Sequence, residues 1–396
     1  MNLKRFLLLV LACTLPLSLF ACENPNKITS ESNENVATES ESTTQPSETE
    51  APKEIKTKTY TPLDVYESIK TLGRTSLSPD GLVCDNVSSG IEFNAYIEGK
   101  LTVDVMLVKS SHTDARNDNC YFTLYVDGVR SETRFKANKN TTTTLELGDF
   151  KDGAVRNIKL VKQTEPRNAL ATLTSISFTG YFEERPADLE YYIEFMGASI
   201  LSGYGNLTDA KDAATAQLAI YQDSTKALTY LSAQVLGADY SITSASGIGL
   251  VRGYRPFNLP ELYQKSSLYR NPAEEYSFPR SADIVVINAD GNDSGKNVTL
   301  EEWKAGLQET IAKIRTIHGD DTAIVMIYFA NSTSTSKYFP SYTQSLFNEM
   351  GGEAAGLYIC KLTKNQDGGN NHPSLDGHTV AANELVQFIQ SKNILK

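Results

Sequence analysis

Three short stretches carry residue types that together could cleave an ester. Gly197-Ala198-Ser199 closes the apolar run Tyr191 to Met196, so Ser199 falls on a small-residue turn where a strand gives way to a helix. Gly291-Asn292-Asp293 follows a second apolar run, Ile284 to Asn288, and His372-Pro373 lies close to the chain end. A serine hydroxyl is a poor nucleophile near neutral pH and needs a base within hydrogen-bond reach, and the tetrahedral oxyanion it creates needs fixed donors. Ser199, His372 and the Asn292 amide would fill those three roles. The chain has only four histidines, which narrows the choice of base. His112 falls in a polar loop, His318 ends a helix where a cation suits the dipole, and His378 falls at the start of the final helix. His372, between a Gly/Asn-rich loop and Pro373, is best placed. Taken singly, Ser199 reads as a helix cap, Asn292 as a turn residue and His372 as a structural histidine. Their joint occurrence, in order, points to nucleophilic catalysis.

The elements that must position these residues follow from periodicity. From residue 187 to 396, apolar strands alternate with helices. The strand-like runs are Ile193 to Met196, Tyr240 to Ser244, Ile284 to Asn288 and Ala323 to Tyr328. Helical spacing covers Ala213 to Leu236, Leu300 to Ile317 and Gly377 to Ser391, with Thr299 and Glu302 forming a capping box. Continuous apolar strands with intervening helices predict a parallel sheet covered on both faces, a three-layer α/β/α domain. Ligands bind such sheets beyond the carboxyl ends of the strands, and Ser199, Asn292 and the His372 loop can all reach that rim. Residues 59–182 differ: Ile91 to Ile97, Leu101 to Leu107 and Tyr121 to Val126 alternate with period two, the last running into the hairpin signal Asp127-Gly128. This texture predicts an all-β sandwich, a jelly roll, that binds carbohydrate or buttresses its neighbour.

Residues 1–21 read as an export signal, with Lys4 and Arg5 ahead of an apolar stretch too short for a membrane span. Leu19-Phe20-Ala21-Cys22 has the form of a lipoprotein cleavage site, so Cys22 is the expected lipid attachment point and the outer face of a bacterial membrane the expected location; a plain secretory signal is the alternative. Residues 22–58 are Ser, Thr, Glu, Asn and Pro with few apolar groups, a composition that predicts a disordered tether. A net charge of -11 argues against a nucleic-acid partner and suits a neutral polymer. Cys84, Cys120 and Cys360 are scattered without CxxC spacing, which predicts buried thiols and no metal site. No cofactor is called for, and a monomer is the expectation.

The ordered blocks resemble those of carbohydrate esterase family 2, whose members join a jelly roll to an SGNH (GDSL-type) hydrolase domain. Gly73-Arg74-Thr75, Gly90 to Phe93, Tyr125 to Gly128 and Leu160 to Glu165 resemble its β domain; Ile193 to Gly205, Ser246 to Gly249, Asp283 to Asp293 and His372 to Ser374 resemble its catalytic blocks. The resemblance implies removal of O-acetyl groups from a polysaccharide such as xylan or mannan through an acetyl-serine. It implies Ser199 as nucleophile, His372 as base, and the oxyanion hole from the backbone N–H groups of Ser199 and Gly247 and the amide of Asn292. Three positions depart from the family pattern. Ala198 replaces an aspartate that braces the nucleophile loop, and Asp290 puts a charge beside the oxyanion hole. Gly369 and Asn370 stand where related hydrolases have an acid before the histidine. Either Asp367 folds back as orienting acid, or a backbone carbonyl supports the imidazole in a Ser–His dyad. These departures leave open a carbohydrate-binding lipoprotein with weakened turnover. Bacterial cell-wall O-acetyl groups are the alternative substrate.

Overall fold

Period-two alternation builds the first sheet, whose nine strands are β1 (Lys56–Tyr60), β2 (Ile69–Leu72), β3 (Ser76–Ser78), β4 (Gly81–Val83), β5 (Gly90–Val108), β6 (Asn119–Val126), β7 (Val129–Asn138), β8 (Thr142–Lys162) and β9 (Leu170–Phe182). The computed structural model describes residues 53–108, 119–138, 141–270, 272–289, 292–329 and 341–395. The export signal, most of the tether, Cys22, His112, Asp290 and Gly291 lie outside the described residues. Within this sheet every pairing is antiparallel, and it curls around a core of Phe93, Phe122, Ile158 and Phe178. The two short strands expected at Ile91 to Ile97 and Leu101 to Leu107 are one long strand, β5. Gly99 interrupts its register with a left-handed φ of 76°, so the strand bends without ending.

The second sheet has five parallel strands: β10 (Tyr191–Gly197), β11 (Ala238–Ser244), β12 (Ile284–Ile287), β13 (Ala323–Phe329) and β14 (Leu357–Leu362), in the order β11-β10-β12-β13-β14. The first strand lies inside the sheet, so the chain reverses direction between β10 and β12, and the crevice there opens beyond their carboxyl ends. Helices α1 (Ala213–Ala216), α2 (Leu228–Val235), α3 (Leu259–Gln264), α4 (Leu300–His318), α5 (Ser341–Glu349) and α6 (Leu375–Ser391) complete it. Trp303, Leu307, Ile311 and Ile314 of α4 pack into one face, while Leu228 of α2 with Leu385 and Ile389 of α6 fill the other. The capping box forms as the sequence indicates: Thr299 receives the Glu302 N–H and Glu302 receives the Thr299 N–H.

Two expectations need correction. Ser199 begins a run of tight turns instead of a helix, and the helix expected over Ala213 to Leu236 is broken into α1, two short 3-10 turns and α2. Side chains compete with the helical ladder there: Asp223 takes the Thr225 N–H and Asn206 takes the Asp223 N–H. The sequence pattern does not mark α3 with its Asn258 cap, α5, or β14, whose half-exposed edge position weakens its pattern.

From Lys53 onward both sheets belong to one compact unit. A buried polar cluster joins them. Glu194 of β10 accepts from Tyr192, Tyr263 and the His318 ring, and Arg74 lies 3.8 Å away. Arg74 is 1 % exposed, stacks 4.0 Å over Tyr276 and donates to the carbonyls of Tyr263 and Lys265. Burial raises the Glu194 carboxyl, but His318, Arg74 and Tyr263 outweigh it and hold the group below its usual range. Arg74→Ala would strand a buried carboxylate, and removing one partner of such a cluster costs about 3–5 kcal/mol. Urea unfolding is expected to show that loss; a change below about 1 kcal/mol would mean the cluster does not join the sheets.

Candidate active site

Apolar strands stop where the backbone reaches water, and the loops leaving their carboxyl ends meet over the reversal point of the second sheet. Ser199 leaves β10, Gly247 leaves β11, Asn292 leaves β12 and His372 lies between β14 and α6. These four are partly exposed, while their neighbours Ala198, Ser246, Ile248 and Asp293 are buried. Burial anchors each loop and leaves the chemical group at the surface of the crevice.

The nucleophile turn is a chain of tight bonds: Leu201 N to Ala198 O at 3.0 Å, Ser202 N to Ser199 O at 3.1 Å and Tyr204 N to Ser199 O at 3.2 Å. Opposite it, Ser199 Oγ lies 2.8 Å from His372 Nε2. His372 Nδ1 lies 3.0 Å from the carbonyl oxygen of Asn370. A carbonyl only accepts, so the ring proton sits on Nδ1 and Nε2 is free to receive the serine proton. Asn370 and Asn371 reach this geometry through left-handed φ values of 49° and 58°, which asparagine tolerates better than most residues. The loop docks against the nucleophile turn by close backbone approach: Gly369 N donates to Gly205 O at 2.9 Å, and a Cβ on Gly205 would meet Gly369 Cα at 3.1 Å. Lys211 Nζ caps the carbonyls of Gln366, Asp367 and Gly368 at 2.9, 3.2 and 3.0 Å. The Tyr204 ring covers the imidazole, with centroids 4.5 Å apart.

The donor side is built as firmly. Gly247 adopts φ 85°, outside the range of most side chains, and a Cβ there would meet Tyr254 at 3.3 Å. Among the described residues neither its N–H nor that of Ser199 is spent on a protein acceptor. Asn292 Nδ2 gives one hydrogen to Ile248 O at 2.6 Å, which orients the amide and keeps its second N–H for a ligand. Asp293, fully buried, accepts from the backbone N–H groups of Leu250, Val251 and Arg252 at 2.7, 2.8 and 2.9 Å. This carboxylate ties the Gly247 loop to the Asn292 turn. No group of three or more His, Cys, Asp or Glu side chains among the described residues is placed to hold a metal.

No family model matches the chain. It is 25 % identical over 258 residues to an acetylxylan esterase/glucomannan deacetylase of Cellvibrio japonicus, covering 59 % of this chain and 69 % of that protein. It is 25 % identical over 338 residues to the cellulase/esterase CelE of Acetivibrio thermocellus, covering 81 % of this chain; it spans only 39 % of that relative's length. Among solved structures, a family two carbohydrate esterase from Clostridium thermocellum in complex with cellohexaose superposes with a TM-score of 0.72 at 23 % identity, covering 82 % of this chain and 98 % of that one. A family two carbohydrate esterase from Cellvibrio japonicus also superposes on this chain, with a TM-score of 0.73 at 18 % identity, covering 86 % of this chain and 99 % of that one. These solved structures support the fold, a parallel sheet beside a curled antiparallel one.

The structure brings Ser199 and His372 into contact, sets Gly247 and Asn292 on loops leaving the two strands that flank β10, and leaves Asp367 out. The Asp367 carboxylate accepts from Asn365 Nδ2 at 2.8 Å, and the Nδ1 position of His372 is taken by the Asn370 carbonyl. Left-handed turns at Asn370 and Asn371 curl the backbone under the ring before Asp367 could approach. Ala198 is buried in the apolar core, so the turn is braced by backbone bonds and packing. The sequence reading allowed for a backbone carbonyl at the imidazole without assigning it to Asn370; it missed Lys211 and Tyr204, which have no distinctive spacing, and the clamping role of Asp293. Asp367→Asn is expected to keep kcat within about twofold; a loss of tenfold or more would restore Asp367 as orienting acid.

Burial pushes the His372 imidazole below its ordinary value, while hydrogen bonds to the Asn370 and Gly369 backbone and the charge of Glu165 act the other way. The ring must be neutral to accept a proton, so activity is present above its pKa and lost as pH falls through it. The acid limb of kcat/KM is therefore expected below about pH 6.5, the unperturbed histidine value. A limb at or above that pH would contradict the geometry.

Proposed function

We propose that the protein is a serine esterase that removes O-acetyl groups from a polysaccharide, with Ser199 and His372 as a catalytic dyad. The 2.8 Å contact between Ser199 Oγ and His372 Nε2, with Nδ1 held by a carbonyl, carries the proposal. Ser199 Oγ bonds to the acetyl carbonyl carbon as its proton passes to Nε2, and the resulting oxyanion accepts from Ser199 N, Gly247 N and the Asn292 amide. The tetrahedral species collapses, the sugar oxygen leaves and takes the proton from Nε2, and acetyl-serine remains. Water then bonds to the same carbon with its proton passing to Nε2. Collapse of this second species releases acetate and restores Ser199.

The esterase names of the curated relatives and the bound cellohexaose of a structural neighbour support a neutral polysaccharide substrate. Xylan- or mannan-type chains are the expected carriers of the acetyl group. The curled first sheet fits the jelly-roll domain of that family. The apolar leader and Leu19-Phe20-Ala21-Cys22 support an exported protein tethered through Cys22, outside a bacterial membrane.

Acetate release from acetylated xylan and from a chromogenic acetyl ester tests the proposal. Ser199→Ala and His372→Ala are each expected to lose at least about 10³-fold in kcat with the fold intact, and Asn292→Ala about 10²-fold. Absence of wild-type turnover together with retained polysaccharide binding would replace the esterase with a binding protein.

A further inference from the structure

Glu165 lies on the turn between β8 and β9, in the first sheet, yet its carboxylate is spent on the second. It is 1 % exposed, Oε2 accepts from Ser246 N at 2.8 Å and Oε1 from Ser246 Oγ at 2.7 Å. Ser246 immediately precedes Gly247. The turn is locked in place from the other side, because Gln222 Oε1 accepts from Glu165 N at 3.2 Å and from Asn168 Nδ2 at 2.9 Å. Gln222 Nε2 then donates to Ser202 O, on the nucleophile turn, at 2.9 Å. One polar chain therefore runs from the Gly247 loop through Glu165 and Gln222 to the Ser199 turn.

The plainer reading is a structural ion pair with Arg167. That contact is 4.0 Å, whereas both bonds to Ser246 are short. A neutral oxygen could accept the Ser246 N–H equally well, and a buried carboxylate carries a desolvation cost that a neutral group avoids. The charge therefore calls for a role of its own. The groups around the imidazole are Tyr204 over its face, Arg167 over Tyr204 at 5.9 Å, Lys211 on the carbonyls of the same loop, the buried His378 and Glu165. Among them Glu165 is the anion whose charge opposes the burial of His372. Among the described residues no acid bonds Nδ1, and the Glu165 charge acts on the ring in the sense an acid there would, favouring its protonated form.

We infer that Glu165 is a positioning residue of the esterase site: through Ser246 it fixes the Gly247 N–H in the oxyanion hole, and its charge favours the imidazolium formed as Ser199 attacks. The inference rests on the proposed esterase reading and deepens it, since it makes the first sheet part of the catalytic apparatus.

The full-length chain is compared with Glu165→Gln and Glu165→Ala, with thermal unfolding as the check on folding. Gln keeps an acceptor for Ser246 N, lets its amide donate to Ser246 Oγ in place of accepting from it, and removes the charge; Ala removes the charge and both bonds. On a chromogenic acetyl ester, Gln is expected to lower kcat roughly fivefold and Ala roughly 100-fold, with KM within about twofold, because a displaced oxyanion donor is felt in the transition state. The acid limb of kcat/KM and the His372 titration followed by NMR are expected to move down by roughly 0.5 pH unit in Gln. A purely structural residue would lower the amount of folded enzyme and leave both pH readouts in place. A folded Gln variant with wild-type kcat and an unmoved His372 titration overturns the inference, whether or not Ala folds. Wild type without turnover but with a His372 titration that responds to Glu165→Gln would leave the charge coupling standing and sink the esterase reading alone.

Discussion

The hydrogen bond between Ser199 and His372 joins loops 173 residues apart in the chain, and the rest of the molecule can be understood as what holds its two ends still. A contact of that range costs loop-closure entropy that a single hydrogen bond of about 1 kcal/mol cannot offset. The parallel sheet supplies the difference by burying β10 and β14 in one core, so that both loops leave the same edge. The final approach is then made by backbone: Gly369 against Gly205, and Asn370 N to Ala210 O at 2.8 Å. Glycine at both contact positions lets two main chains come closer than side chains would allow.

The same loop explains how the proposed dyad would work without an acid on the histidine. A carboxylate at Nδ1 would stabilise the imidazolium more than a neutral carbonyl does. The carbonyl still fixes the tautomer and the ring plane, and Tyr204 limits the ring's movement from above. Burial favours the neutral imidazole that the first proton transfer requires. Buried Asp293 and Glu165 do for the proposed oxyanion hole what the glycine contacts do for the proposed base: Asp293 takes three backbone N–H groups of the loop around Gly247, and Glu165 takes the N–H and hydroxyl of Ser246. The four loops carrying Ser199, Gly247, Asn292 and His372 are each anchored by buried neighbours.

What could be read from the sequence follows from which physical signals are local. The strands Ile284 to Ile287 and Ala323 to Phe329 are continuous apolar runs and were legible, as was the Thr299 capping box at the head of α4. Ser199, Asn292 and His372 were legible because each follows or closes a recognisable element, and Gly247 through the family resemblance. The helix over Ala213 to Leu236 was misread because its apolar spacing is helical while Asp223 within the window and Asn206 from outside it bind the backbone. Asp367 was one of two candidates for support of the imidazole, on linear proximity alone; two left-handed asparagines, whose conformation composition does not reveal, turn the chain so that a backbone carbonyl takes that place. Glu165 had no local signal at all, since its partner Ser246 stands 81 residues away on the other sheet.

The central claim is that His372 activates Ser199, and covalent labelling reads this most directly. The full-length chain would be treated with an organophosphate that phosphorylates activated serines, then digested and analysed by mass spectrometry. Wild type is expected to carry a single adduct, on Ser199, and His372→Ala to label far more slowly. Equal labelling in the two proteins, or an adduct on a different serine, would contradict the claim.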